Sequence, residues 1–117
     1  MVEIFKSDIN GRGVFATQNI PKGTELICDV VLIKKEYEKQ FECINMYSFP
    51  WDREYYSICI GFASFFNHNR TPNVKNFKID KINLKDIFVT IKDINTGEEL
   101  FIDYGNKKTN YGIHIKN

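Results

Sequence analysis

The sequence has few of the features that mark secreted or membrane proteins. Its three cysteines, Cys28, Cys43 and Cys59, are odd in number and form no C-x-x-C pair. This spacing argues against a disulfide framework and against a zinc site, so no metal ion is expected. No run of 18 apolar residues occurs, and the amino terminus MVEIFKSDINGRGVF lacks an apolar stretch with a basic flank. We therefore expect a soluble protein of a reducing intracellular compartment, with no membrane partner.

A large charge of one sign is also missing. Sixteen Lys and Arg residues against 15 Asp and Glu residues leave a net charge of +1, without the basic surplus typical of non-specific nucleic-acid binders. No direct nucleic-acid partner is therefore expected. No internal repeat, low-complexity tract or linker interrupts the 117 residues, a length that suits one domain with one core. We predict a single domain over residues 1–117, with a polar tail at 106–117.

The hydrophobic pattern is typical of short strands. Alternating apolar residues and turn signals such as Pro21-Lys22-Gly23 and DINTGE favour a mainly β fold with few short helices. Residues 34–44 have apolar side chains at helical spacing and are predicted to form a short helix or a loop. The predicted extended segments are residues 2–6, 11–17, 25–33, 53–61, 74–79, 86–92 and 99–104.

Two loops carry polar groups in patterns that suit ligand binding. Gly11-Arg12-Gly13 precedes a strand, and its glycines allow a positive φ and a close approach of the backbone to a ligand. A tight turn between strands explains the same residues. Asn67-His68-Asn69 follows a Phe-rich run, and its side chains suit either a buried hydrogen-bond network or a binding site.

A third motif, TGEELFIDYG, runs from residue 96 to residue 105. It places Tyr104 at the end of a strand, where a tyrosine ring can pack in the core while its hydroxyl points into a pocket. A purely structural tyrosine explains this position as well.

In this order, GRGVFA, GFxxxFNHNxxPN and GEELFIDYG resemble the motifs of the SET-domain protein-lysine methyltransferases. The three motifs span residues 11–105, most of the chain, which is most similar to the minimal SET proteins of some viruses and bacteria. The resemblance implies a β-clip fold of several small sheets. It also implies a C-terminal pseudoknot, in which the segment after the last strand threads a loop formed by the preceding one.

The resemblance also implies roles for individual residues. Gly11, Arg12 and Gly13 would line the methionine end of S-adenosylmethionine, and Asn67 and His68 would bind its amino group and adenine. Tyr104 would lie at the methyl-transfer centre, and Tyr47 would wall the lysine channel. Trp51 or the tail residue Tyr111 would add aromatic surface near the channel or the adenine.

The chain departs from the family pattern at three places. Asn69 replaces a small hydroxyl residue, and no cysteine cluster follows Tyr104, so the tail would have to close the site without a zinc-bound flank. Ile102 occupies a position where many relatives have Phe or Tyr, so the resemblance does not fix the number of methyl groups transferred.

We therefore predict methyl transfer from S-adenosylmethionine to the lysine side chains of a protein substrate, such as a histone tail or another basic protein. The enzyme would act in the cytoplasm or, if histones are its target, in a host nucleus. A homodimer is expected, because association could complete a small site.

The first alternative is a catalytically inactive SET-like module that binds a peptide or dimerises, which the presence of Tyr104, Asn67 and His68 disfavours. A small nucleic-acid-binding β-barrel is a second alternative, disfavoured by the near-neutral charge. A Rossmann-like methyltransferase would need alternating long helices that the sequence lacks.

Overall fold

The computed structural model describes residues 1–105, apart from the side chains of residues 41–46. This part of the chain forms nine strands and two 3-10 helices. The strands are β1 (Val2–Lys6), β2 (Arg12–Ala16), β3 (Glu25–Lys34), β4 (Ser48–Pro50), β5 (Tyr55–Ile60), β6 (Asn67–His68), β7 (Val74–Asp80), β8 (Lys85–Thr90) and β9 (Glu99–Ile102). The 3-10 helices are Lys35–Tyr47 and Phe62–Phe65. The mainly β prediction is confirmed.

The strands form two sheets. The first has the order β1-β2-β9-β6 and the second the order β4-β5-β3-β8-β7. Neighbouring strands are antiparallel except for β6 and β9, which run parallel. No helix in the described part of the chain is long and apolar enough to cross a membrane.

Buried and exposed residues alternate along the strands, and the buried ones form a core between the two sheets. In β3, Leu26, Cys28 and Val30 are buried while the residues between them are exposed, the period of two expected when one sheet face is covered. At the centre, the Phe88 ring lies 5.4 Å from the Phe49 ring and 5.2 Å from the Phe66 ring. Such tilted aromatic pairs each add about 0.5–1.5 kcal/mol to the free energy of burial.

Two strands and one helix were not predicted. β4 has three residues and β6 only two, too few to show an alternating pattern. The helix Phe62–Phe65 has four residues, too few to show a helical period. The helix or loop predicted at residues 34–44 is the 3-10 helix Lys35–Tyr47. It is tied to β5 by the Tyr56 hydroxyl, which donates to Glu38 Oε1 at 3.3 Å.

The loop after β6 is held against β9 by Asn73. Its side-chain Nδ2 donates to the carbonyl of Glu99 at 2.9 Å, and its Oδ1 accepts from the Phe101 N–H at 2.7 Å. The Asn69 N–H donates to the Ile102 carbonyl at 2.9 Å. These contacts extend the short β6–β9 pairing and fix the position of Asn67 and His68. The segment predicted to thread the pseudoknot lies largely at 106–117, outside the described residues.

Candidate functional site

Asn67 occupies the centre of a buried polar network that joins the Gly11–Gly13 motif to Glu99 of the third motif. It is fully buried (0% exposed), because β6 pairs with β9 beneath the loop that precedes β2. Its Nδ2 lies 2.8 Å from Glu99 Oε2 and 3.2 Å from both the Arg12 carbonyl and Ser7 Oγ. Since acceptors surround this nitrogen, the orientation of the amide is defined by the network.

The Asn67 Oδ1 atom points away from these acceptors and has no hydrogen-bond partner among the described residues. A buried oxygen in this state costs free energy unless a donor reaches it. The atom is therefore a ready acceptor for an amine or ammonium group of a ligand.

Position 13 has no room for a side chain, which explains its glycine. Its backbone is extended within β2, but a Cβ atom built there would overlap the Glu99 carboxylate and lie 3.1 Å from Asn67 Nδ2. That carboxylate occupies the space, with Oε1 accepting from the Ser7 hydroxyl at 2.8 Å and Oε2 from Asn67. Gly11 is different, because its φ of 52° lies in the left-handed region that favours glycine.

Arg12 separates the two glycines and presents two different groups. Its carbonyl accepts from Asn67, while its guanidinium lies 4.6 Å from the centre of the Phe65 ring. The stacked guanidinium is held by a cation–π contact, so the backbone of Arg12, and not its charge, faces the Asn67 network.

His68 and Tyr104 are joined directly. The Tyr104 N–H donates to His68 Nδ1 at 2.8 Å, and the two rings are 5.1 Å apart. A ring nitrogen that accepts a hydrogen bond from a backbone N–H carries no proton of its own, so the neutral His68 ring has its proton on Nε2. Asp103 Oδ1 lies 3.6 Å from the same Nδ1 atom. The parallel β6–β9 pairing thus brings together two residues that are 36 positions apart.

The Tyr104 hydroxyl is half-buried and hydrogen-bonded. It donates to the Phe66 carbonyl at 2.6 Å. Burial raises the pKa of Tyr104, and the neighbouring Tyr47 raises it further. Tyr104 is therefore a neutral phenol at physiological pH, able to donate or accept a hydrogen bond but unsuited to act as a general base.

The structure brings most of the predicted site residues into two adjoining groups. Arg12 and Gly13 adjoin Asn67 in the first network, and the Gly11 carbonyl accepts from the N–H of Ser7 at 2.9 Å. Tyr47 and His68 lie beside Tyr104.

Tyr111 lies outside the described residues. Trp51 is buried in the hydrophobic core and only 7% exposed, and its suggested place near the channel or the adenine stays a prediction. Apolar contacts hold the indole ring there.

Sequence reasoning missed Ser7 and assigned no role to Glu99 or Asn73, which lie within the quoted motifs. Glu99 faces Ser7, a residue 92 positions away. Its position opposite Phe15 in the β2–β9 pairing puts it on the same sheet face as Gly13. A glycine and a carboxylate on the same sheet face of two paired strands are the signal that could have located Glu99. Among the described residues, no group of three or more His, Cys, Asp or Glu side chains is arranged to hold a metal ion.

Comparisons with known proteins identify relatives of this chain. It is 39% identical over 108 residues to a histone-lysine N-methyltransferase specific for H3 lysine-37 from Schizosaccharomyces pombe, a match that covers 89% of this chain and 73% of the relative. It is 31% identical to trithorax histone-lysine N-methyltransferases of Drosophila virilis and Drosophila melanogaster. Those two matches cover 88% of this chain but 3% of the trithorax proteins.

The fold is shared with a solved structure. A candidate histone methyltransferase of Plasmodium falciparum superposes with a TM-score of 0.75 at 28% sequence identity, over 90% of this chain and 97% of the other. The sequence model of the SET domain matches residues 11–105, the span that contains all three motifs. The chain therefore belongs to the SET domain family of protein-lysine methyltransferases.

Proposed function

We propose that this protein transfers a methyl group from S-adenosylmethionine to the side-chain amine of a lysine in a histone or another basic protein. The observation that carries the proposal is the buried, unpaired Oδ1 of Asn67, which lies beside the Gly11–Gly13 backbone and one residue from His68. The relatives named as histone-lysine N-methyltransferases support the substrate class.

The residues present fit the cofactor. Asn67 Oδ1 would accept its amino group, the backbone of Arg12 and Gly13 would line its methionine end, and His68 would contact its adenine. When bound, S-adenosylmethionine supplies a methyl group on a positively charged sulfur. The described side chains would contribute binding and orientation.

The lysine amine has to lose its proton before it can act as a nucleophile. With a pKa of about 10.4, roughly one free lysine in a thousand is neutral near pH 7. Burial beside the rings of Tyr47 and Tyr104 would disfavour the ammonium form and so lower the pKa of the amine. Because Tyr104 is a neutral phenol, we assign it to orientation, not to proton abstraction.

Tyr104 is well placed to orient the reacting groups. Its hydroxyl proton is directed to the Phe66 carbonyl, which leaves the oxygen lone pairs free to face the amine or a methyl C–H group. Its backbone N–H is simultaneously fixed by His68. A catalytic residue held at two points in this way loses little entropy when the substrate arrives, which favours an aligned attack.

The test is transfer of labelled methyl from S-adenosylmethionine to core histones and to a whole-cell extract. Tyr104→Phe removes the hydroxyl and is expected to lower kcat about a hundredfold, the effect typical of deleting one well-placed polar group. Tyr37→Phe is the matched control, because Tyr37 is exposed on the first 3-10 helix and should retain the wild-type rate. An undiminished rate in Tyr104→Phe would refute the assigned centre.

We also propose that the protein is a homodimer. Ile27, Val31 and Ile60 are exposed on the same outer face of the five-stranded sheet, as the pairing of Asp29 with Ile60 requires. Such a face favours association. Light scattering should give a dimer mass for the wild type and a monomer mass for Val31→Lys, with Ile82→Lys on an exposed turn as the control. A monomer mass for the wild type at working concentration would contradict the proposal.

The finer assignments rest on the same family membership. We propose that residues 106–117 complete the pseudoknot and close the site, with Tyr111 near the adenine, and that histones place the enzyme in a nucleus. Truncation after residue 105 should then weaken S-adenosylmethionine binding in calorimetry, whereas unchanged affinity would count against a closing role for the tail.

A further inference from the structure

We propose that the outer face of the four-stranded sheet holds an accessory site for a lysine or arginine side chain from an extended segment of the protein substrate. The inference rests on the proposed function for the identity of that substrate. The site is a cavity of about 550 Å³ whose lining includes Phe5, Ile9, Phe15 and Phe101. Neither His68 nor Tyr104 lines it, so it is separate from the methyl-transfer centre.

Strand register places the aromatic rings of this cavity side by side. Glu3 pairs with Phe15 and Phe15 pairs with Glu99, so the side chains of Phe5, Phe15 and Phe101 project from one sheet face. The rings of Phe5 and Phe15 stand at 89° to each other with centroids 6.3 Å apart. Two rings at a right angle form a corner that can contact both the aliphatic stem and the cationic head of a basic side chain.

The cavity is open to solvent. Phe5 is 63% exposed and Ile9 is 51% exposed, a large apolar exposure for two residues that line one cavity of a small domain. β1, which contributes Phe5, is the edge strand of its sheet in the described structure. An extended segment could therefore pass along this edge and direct alternate side chains toward the rings.

The charges around the rings select a cation. Three carboxylates, Glu3, Asp8 and Glu99, line the cavity together with one ammonium group, Lys6. The surplus of negative charge beside aromatic faces attracts lysine or arginine and repels an acidic segment. The substrate of a lysine methyltransferase carries at least one lysine, and basic proteins carry more of them near the target, so a second basic side chain can occupy this position.

Glu99 connects the cavity with the candidate active site. It lines the cavity, and its two carboxylate oxygens accept from Ser7 and from Asn67. The accessory site is thus next to the Asn67 network without containing its reacting groups. Occupation is expected to strengthen substrate binding and to leave the chemical step unchanged.

The experiment uses the full chain and a fluorescein-labelled peptide of the histone H3 amino-terminal tail, with fluorescence anisotropy as the readout. Phe5→Ala and Glu3→Gln remove one ring and one charge from the cavity. Their matched controls are Phe77→Ala, an exposed phenylalanine on β7, and Glu25→Gln, an exposed glutamate on β3. We expect each cavity variant to raise the Kd of the peptide about tenfold and each control to leave it unchanged.

A second peptide tests the charge requirement. With every lysine and arginine replaced by glutamine, the peptide should lose its preference for the wild type over Phe5→Ala. If the neutral peptide binds as tightly as the basic one and still distinguishes the two proteins, the surface is an apolar docking site and the proposed cation specificity is wrong. Equal Kd values of the basic peptide for wild type and both cavity variants would overturn the site itself.

Kinetics separate this proposal from the proposed function. In methyl transfer to core histones, the cavity variants should raise KM about tenfold at constant kcat, while calorimetric binding of S-adenosylmethionine stays the same. Unchanged KM in an active enzyme refutes the accessory site alone. Absence of methyl transfer by the wild type, with the peptide Kd still dependent on Phe5 and Glu3, refutes the proposed function and supports the accessory site.

Discussion

Replacing Gly13 by alanine tests whether the Asn67 network depends on the space that this glycine leaves. Gly13 has an extended backbone that alanine adopts without strain, so any effect must come from the added methyl group. The methyl group would overlap the carboxylate of Glu99, whose Cδ atom lies 2.8 Å from the Cβ position. The side chain of Glu99 would then have to leave Ser7 and Asn67.

The expected loss in the free energy of unfolding follows from the two hydrogen bonds of Glu99 that would break. Hydrogen bonds to a charged group contribute about 1.5–3 kcal/mol each, and the lower value suits Glu99 because its side chain is half-exposed and regains water. Two such bonds amount to about 3 kcal/mol. Alanine in a strand recovers about 0.5–1 kcal/mol relative to glycine, so Gly13→Ala should lower the free energy of unfolding by about 2 kcal/mol.

Urea unfolding of a double-mutant cycle measures this cost. Glu99→Ala removes the overlapping carboxylate, so in that background Gly13→Ala should stabilise the protein by about 0.5–1 kcal/mol. Calorimetry should also show weaker S-adenosylmethionine binding by Gly13→Ala, since the Asn67 amide loses a partner that orients it. Equal costs in both backgrounds, or a more stable Gly13→Ala protein, would refute the steric explanation.

Three further predictions concern the core, the buried phenol and the thiols. Phe88→Ala removes a ring that is 0% exposed and lies between two other rings, so it should lower the free energy of unfolding in urea by about 3–5 kcal/mol. Phe77→Ala, at a 49% exposed position, should lower it by under about 1 kcal/mol. Similar losses for the two variants would contradict the assigned core. The pKa of Tyr104 is raised by folding, so its contribution to stability is complete below about pH 10 and is lost as pH rises through the folded-state pKa. As the pH is raised into the alkaline range, the free energy of unfolding of Tyr104→Phe should therefore fall less than that of the wild type. An equal fall in both proteins would exclude a buried phenol. Cys28 and Cys59 are both buried, each 3% exposed. With Cys43 replaced by serine, neither thiol should therefore react with a disulfide reagent until the protein unfolds; rapid labelling of the native protein would contradict this burial.

Local sequence patterns predicted the longer strands and the residues of the three motifs. Strands β3, β8 and β9 were predicted near their observed bounds because alternating apolar residues are buried on one face. The order of the glycine, Asn-His and Tyr104 motifs indicated the family, which the comparisons confirm.

Tertiary structure alone decided how these segments meet. β6 has two residues and no intrinsic strand signal, and it exists because Asn67 and His68 pair with β9. The contact of Glu99 with Ser7 spans 92 positions, so no local pattern could reveal that both groups share a buried network. The sequence by itself determined the segments and their chemistry, whereas the pairing of β6 with β9 determined which of those groups face each other, because long-range hydrogen bonds and close packing form only in the folded chain.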